Sequence, residues 1–150
     1  APMPCASDDE TQGFVLRHLQ SKLMVAALSC NQRDAYNTFM QRFLPELTTG
    51  GKAFASYFTR TGLGTPALNN HVTEIANAAG LSRAANPRFC EATWAIFWDL
   101  QQEPERLVEF AIENRMGAMA MPQACPTAAV VRGSAQNRTA APQRSEAAIR

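Results

Sequence analysis

Apolar side chains recur every three to four residues along most of the chain, which is the spacing of amphipathic helices. The first such stripe follows Ser7, a helix-capping residue, and three carboxylates that favour a helix N-terminus. It predicts a first helix from there to about Cys30. Its inward-facing positions are Leu16, Leu19, Leu23, Ala26, Ala27 and Cys30. Met24, Val25 and Leu28 make its last two turns apolar nearly all round, so we expect a central helix buried on two sides.

A second helix is predicted from Asp34 onwards, and it carries the clearest amphipathic stripe in the chain. That stripe consists of Tyr36, Phe39, Met40, Phe43, Leu44 and Leu47. Pro45 lies within it and should kink or end the helix nearby, because proline lacks an amide hydrogen and clashes with the preceding turn. The glycine pair at 50–51 then predicts a break, and a short third helix over 52–60 should end at the glycines of 62–64.

Three further helices are predicted from start and stop signals. The Thr-Pro pair at 65–66 starts the fourth helix, which we expect to close at Gly80. The Asn-Pro pair at 86–87 starts the fifth, and Gly117 should end a sixth over 104–116. The inner face of the fifth helix is Phe89, Cys90, Thr93, Ile96, Phe97 and Leu100. No segment alternates with period two, so the sequence predicts an all-α fold, a small irregular bundle of five to six short helices.

The four cysteines, Cys5, Cys30, Cys90 and Cys125, are widely spaced and form no CxxC or CxxCH motif. This spacing argues against zinc, a thioredoxin-like site and covalent haem, and it favours two structural disulfides formed in an oxidising compartment. Three pairings are open from the sequence alone. Because Cys30 and Cys90 both face the predicted core, helix geometry favours Cys30–Cys90, with Cys5–Cys125 closing the ends.

The ends of the sequence bear on localisation. The chain begins Ala-Pro-Met-Pro, as an exported protein does after signal-peptide cleavage. Arginine outnumbers lysine twelve to two, a bias of high-GC bacterial genomes. No apolar run approaches the length of a membrane span. We therefore expect an exported protein, in the bacterial periplasm or secreted, with no transmembrane segment.

The character of the sequence changes after Cys125, so we divide the chain into a helical domain over 1–125 and an Ala/Pro/Arg-rich basic tail over 126–150. The tail holds no aromatic residue, and its net charge is +3 against −2 for the rest of the chain. Its arginines are Arg132, Arg138, Arg144 and Arg150. An anionic lipid or an acidic partner surface suits them, and a solvated linker is the alternative. No nucleic acid is expected, because the whole chain is nearly neutral.

The sequence predicts no catalytic constellation, metal site or cofactor. We expect His18 to lie at the surface and His71 at a helix boundary, and neither belongs to a metal-binding motif. There is no nucleophile elbow and no phosphate-binding loop. The carboxylates that a glycosidase would need are too dispersed to share a cleft: Asp34, Glu46, Glu91 and Asp99. An enzyme of unrecognised type remains a third hypothesis.

Trp94 and Trp98 lie one turn apart on the fifth helix and are directed away from its inner face. If they are exposed, they form an aromatic anchor for a partner, with Glu91 and Gln101 on its rim. The alternative is a central helix that buries both of its faces. A second functional hypothesis is a small-ligand carrier with an apolar pocket between helices. Its lining residues would be Phe39, Met40, Phe43, Phe54, Tyr57 and Phe58.

The segment from Leu19 to Leu47, with Leu-Met-Val-Ala-Ala-Leu-Ser-Cys-Asn at 23–31, resembles small exported helical proteins of alphaproteobacteria with no assigned function. The resemblance extends over about residues 15–100 and includes the later Phe-Cys pair at 89–90. It implies that the cysteines at 30 and 90 belong to a recurrent helical scaffold, and it carries over no catalytic residue. The leading hypothesis rests on the basic tail, the tryptophan pair and the missing catalytic constellation. It is a non-catalytic exported protein that binds another protein, as an accessory subunit of a periplasmic or membrane-associated complex.

Overall fold

The computed structural model describes residues 3–115 and 121–126, and these residues are mostly helical. The elements are α1 (Asp8–Ser29), α2 (Arg33–Arg42), α3 (Leu44–Arg60), α4 (Gly64–Ala85), α5 (Phe89–Gln102), a 3-10 helix (Pro104–Arg106) and α6 (Leu107–Glu113). In these residues the extended backbone forms a single isolated bridge, between Ala6 and Ala124. The predicted all-α, disulfide-stapled bundle is thus confirmed. No helix in the described ranges is long and apolar enough to cross a membrane.

The start of α1 is held by a reciprocal cap. Ser7 Oγ accepts a hydrogen bond from the Glu10 amide, and the Glu10 carboxylate accepts one from the Ser7 amide at 2.9 Å. Arg60 at the end of α3 donates to both carboxylate oxygens of Glu10, at 2.7 and 2.8 Å. These hydrogen bonds from the guanidinium, opposed by burial, lower the pKa of Glu10 to about 2. The cap therefore joins α1 to α3 as well as starting a helix.

α1 is the central helix and contacts all five other α-helices. Leu16, Leu19 and Leu23 pack into one apolar cluster with α2, α5 and α6, whereas Phe14 packs into a second cluster with α3 and α4. The prediction that its last two turns are buried on both sides is wrong. Met24 is 42% exposed and Leu28 is 66% exposed, because they lie off the leucine stripe of α1 against which α2 packs.

α1 and α3 cross closely at a pair of glycines. A Cβ atom on Gly13 would lie 2.5 Å from the Gly50 carbonyl oxygen and 2.8 Å from the Phe54 amide nitrogen. The two backbones therefore approach as closely as they do only because Gly13 has no side chain. The predicted helix break at 50–51 is wrong, since α3 runs through both glycines.

Two other boundaries differ from the prediction or refine it. Gly80 does not close the fourth helix, which continues to Ala85, because an isolated exposed glycine costs a helix only about 1 kcal/mol relative to alanine. Pro45 does mark a helix end: α2 stops at Arg42, and the proline lies in the first turn of α3, where its missing amide hydrogen is not needed. The apolar stripe thus passes from α2 to α3 across the break.

Both predicted disulfides are present, and no described cysteine is free. The prediction that both Cys30 and Cys90 face the core is nevertheless wrong, because Cys30 is only half-buried and Cys90, in the first turn of α5, is exposed. The Cys90 carbonyl accepts a hydrogen bond from Gln32. The bond joins the C-terminal end of α1 to the N-terminal end of α5. Cys5–Cys125 lies at the opposite end of α1, where the Ala6 amide donates to the Gln123 carbonyl and the Cys125 amide donates to the Ala6 carbonyl. The boundary predicted at residue 126 falls at the edge of the described residues, and 127–150 lie outside them.

Candidate partner-binding surface

Trp94 and Trp98 lie side by side on α5 and are 57% and 59% exposed. The opposite face of the helix supplies its buried residues, which are Phe89, Thr93, Ile96, Phe97 and Leu100. This face packs against the cluster around α1, so the two indoles are left on the solvent side. Of the two expectations for this helix, the structure shows the exposed aromatic pair and not the helix buried on both faces.

The indoles border a groove between α2 and α5 with a volume of about 240 Å³. Its lining residues are Asp34, Ala35, Thr38, Trp94, Phe97, Trp98 and Gln101. A smaller hollow of about 100 Å³ continues along the same two helices and shares four of these residues. Arg42, Phe39 and Phe43 belong to this second hollow. We call the groove and the two tryptophans together the Trp surface.

A covalent and hydrogen-bonded link sets the position of α2 against α5. The Cys30–Cys90 disulfide ties the end of α1 to α5, immediately before the chain enters α2. Gln32, which is buried, donates from Nε2 to the Cys90 carbonyl at 2.8 Å and accepts from Thr93 Oγ1 at 3.0 Å. Asn31 takes a left-handed conformation with φ of 57°, which reverses the chain between α1 and α2. The Trp surface therefore rests on a rigid support.

One acidic side chain lies at the groove beside the indoles. Asp34 is the charged residue that lines it. Glu91 accepts a hydrogen bond from Arg88 Nε at 2.8 Å, so that carboxylate already has a cation. The predicted rim residues Glu91 and Gln101 both lie next to the tryptophans, but only Gln101 lines the groove.

The six residues proposed for a ligand pocket do not line one common cavity. Phe39, Met40 and Phe43 belong to the cluster around α2 and α5, whereas the other three, Phe54, Tyr57 and Phe58, pack edge-to-face around Phe14. Phe39 and Phe43 of the first group border the hollow between α2 and α5. At about 100 Å³ it is smaller than the pockets that usually hold small molecules, which are roughly 300–1,000 Å³.

The two histidines form a buried pair, which contradicts the prediction for His18. His18 is 1% exposed and His71 is 4% exposed, and their rings stack with centroids 6.0 Å apart. Both nitrogens of His18 and Nε2 of His71 are buried without a hydrogen-bond partner in the described structure. His18 is buried because α4 covers the face of α1 opposite the leucine stripe. No local sequence signal marks that contact.

Burial controls the titration of this pair. It lowers the pKa of His18 to about 4, and repulsion from a charged His71 lowers it in the same direction. Burial also lowers the pKa of His71, although Glu74, with Oε1 3.8 Å from His71 Nδ1, acts in the opposite direction. Both rings are therefore neutral at pH 7, in an aromatic environment closed to substrate. Within the described ranges no group of three or more His, Cys, Asp or Glu side chains is placed to hold a metal ion.

The carboxylates considered for catalysis are dispersed. Asp34 lies at the Trp surface, Glu91 is paired with Arg88, and Glu46 lies with Asp9 in an open hollow of about 360 Å³ between α1, α3 and α6. Asp9 is absent from the predicted set, because only the close crossing of α1 and α3 brings it to the same hollow as Glu46. The tail arginines Arg132, Arg138, Arg144 and Arg150 lie outside the described residues.

Comparison with known proteins finds no matching protein family, no matching curated protein and no matching solved structure. The local geometry of the chain is therefore the basis for a functional assignment.

Proposed function

We propose that this chain is a non-catalytic exported domain that binds another protein through the Trp surface, as an accessory subunit of a periplasmic or membrane-associated complex. The observation that carries the proposal is the pair of tryptophans, each more than half exposed, beside a groove between α2 and α5, where a disulfide ties α5 to the end of α1 just before α2 begins. Tryptophan is among the residues most enriched at the energetic centres of protein interfaces. Export is part of the proposal because structural disulfides persist in oxidising compartments.

The area exposed at the indoles indicates how large a partner must be. An aromatic side chain buries about 150–250 Å² when fully covered, so covering the exposed parts of both indoles favours association by roughly 5 kcal/mol. Association itself costs about 4–15 kcal/mol in lost translational and rotational freedom. The tryptophans alone therefore do not make a stable complex. The partner must also fill the groove along α2, and we expect an apolar protein segment there.

The rigid support is consistent with this role. Because Gln32 and the Cys30–Cys90 disulfide hold α2 against α5 before any partner arrives, little ordering entropy remains to be lost when the partner binds. A ligand carrier needs an enclosed cavity, and an enzyme needs converging polar groups. The Trp surface has neither feature and is suited to a macromolecular partner.

The test is the native mass of the protein isolated from its source organism, compared between two serine variants. Trp94→Ser/Trp98→Ser should lose the bound partner, whereas Leu81→Ser should keep it. Leu81 is a matched control because its side chain is 70% exposed but lies on α4, away from the groove. A wild-type protein that is strictly monomeric, or a complex that survives the double tryptophan substitution, would contradict the proposal.

A further inference from the structure

Four of the eight arginines in the described residues lie over aromatic rings. The guanidinium carbon of Arg106 lies 4.3 Å from the centre of the Phe110 ring, and three other pairs lie at 5.6 to 5.8 Å. Those pairs are Arg17 over Phe54, Arg42 over Phe43 and Arg60 over Tyr57. Trp94 and Trp98 have the ring type that binds cations most strongly, yet no arginine of the described residues lies over either ring.

The segment that follows Pro126 lies outside the described residues and is rich in arginine. Residues 127–150 contain four arginines and one glutamate, and hence a net charge of +3, whereas the rest of the chain carries −2. The four arginines are spaced by six residues: Arg132, Arg138, Arg144 and Arg150. An arginine can stack on an indole and pair with a carboxylate at the same time. Asp34 offers such a carboxylate beside the tryptophans.

We propose that the arginines of residues 127–150 bind the Trp surface of the same molecule when no partner is present. The inference rests on the proposed function in one respect, because it makes the tail a competitor for the surface that a partner would cover. A partner would then have to displace the tail. To do so, the partner would need to place a cation on the tryptophans or cover a larger apolar area there.

The length of the chain determines which arginines can take part. Cys125 is anchored at the start of α1 by Cys5, and the Trp surface lies near the Cys30–Cys90 end of that helix. The 22 residues of α1 span about 33 Å, so the path is on the order of 30 Å. Fully extended chain covers at most about 3.5 Å per residue. The seven residues to Arg132 thus reach about 25 Å, while Arg144 and Arg150 reach the surface with slack.

Tryptophan fluorescence provides a direct test, because Trp94 and Trp98 are the two tryptophans of the chain. The full chain at low ionic strength is titrated with acrylamide, a neutral quencher. Each exposed arginine–indole contact favours the bound form by about 2- to 5-fold, so Arg144→Ser/Arg150→Ser should lower the ratio of bound to free tail by about 4- to 25-fold. Quenching should increase accordingly, and high salt should have the same effect on the wild type.

Arg132→Ser is the matched control, because it removes the same kind of charge from a position that reaches the surface only when the intervening chain is fully extended. It should leave quenching near the wild-type value. Adding a synthetic peptide of residues 133–150 to the double variant should restore protection, and the same peptide with serine at 144 and 150 should not.

Three results would overturn the inference. Quenching that is equal in the wild type and in Arg144→Ser/Arg150→Ser would show that the tail does not cover the tryptophans. An equal effect of Arg132→Ser would show that general charge, not reach, is responsible. Protection that disappears on dilution would identify a second copy as the occupant. None of these results depends on a partner, so the native-mass experiment would still decide the proposed function.

Discussion

The buried histidine pair makes stability depend on pH in a way that can be calculated from the structure. His18 has an ordinary pKa of 6.5 in the unfolded chain and about 4 in the folded one. The unfolded state therefore binds more protons between these values, and the folded state loses stability as pH falls from about 6.5 towards 4. The loss from His18 alone is about 2 kcal/mol at pH 5, and it levels off near 3 kcal/mol below pH 4.

The assay is urea denaturation at pH 7.5 and pH 5 of the wild type and of His18→Leu. In the variant the two unpartnered nitrogens are replaced by apolar atoms of similar volume, so stability at pH 7.5 should hold or rise. Between pH 7.5 and pH 5 the variant should lose about 2 kcal/mol less stability than the wild type. His71→Leu removes the remaining histidine and, combined with His18→Leu, should flatten the profile further, because the chain has two histidines.

The contribution of the Glu10–Arg60 ion pair to folding stability is lost at a lower pH than that of the histidines. The two effects can therefore be separated by the choice of pH. The pKa of Glu10 is lowered from 4.5 to about 2, so its contribution is present above pH 4.5 and is lost as pH falls towards 2. Measurements at pH 5 and above therefore report mainly the histidines. If the wild type and His18→Leu lose equal stability between pH 7.5 and pH 5, the reasoning about the buried pair is refuted.

Two other predictions concern stability and use the same denaturation assay. Gly13→Ala should destabilise the fold by about 2–3 kcal/mol, because its Cβ would overlap backbone atoms of α3. Gly51→Ala is the control, because nothing lies within 4 Å of the position its Cβ would take, and it should stabilise α3 by about 0.5–1 kcal/mol. Equal effects of the two substitutions on stability would contradict the close crossing of α1 and α3. Replacing Cys30 and Cys90 with serine should cost about 4 kcal/mol in the chain-entropy account, and unchanged stability would show that the bond is not a structural staple.

The helices are predictable because the signal for each is local. The stripe from Leu16 to Leu23 and the cap at Ser7 depend on residues within one helix, and both appear in the structure as expected. Gly50 fails as a predicted break for the opposite reason. Whether a glycine ends a helix depends on what packs beside it, and at Gly50 that neighbour is Gly13, thirty-seven positions earlier in the chain.

The candidate surface can be predicted only in part. The positions of Trp94 and Trp98 on the outer face of α5 follow from the helical period, but their exposure depends on whether another element covers that face. Asp34 joins them because the Cys30–Cys90 disulfide and Gln32 bring α2 alongside, and nothing within α5 indicates this.

The sequence by itself determined the all-α class and the helix order, and it favoured the pairing of the four cysteines, because these follow from local periodicity, capping and the number of thiols. Only the tertiary structure decided which faces meet. It buried His18 against His71, brought the Cys30–Cys90 bond to the junction of α1, α2 and α5, and left two tryptophans exposed over a groove. Burial is a property of contacts between distant segments, and each helix carries the pattern for only one side of such a contact.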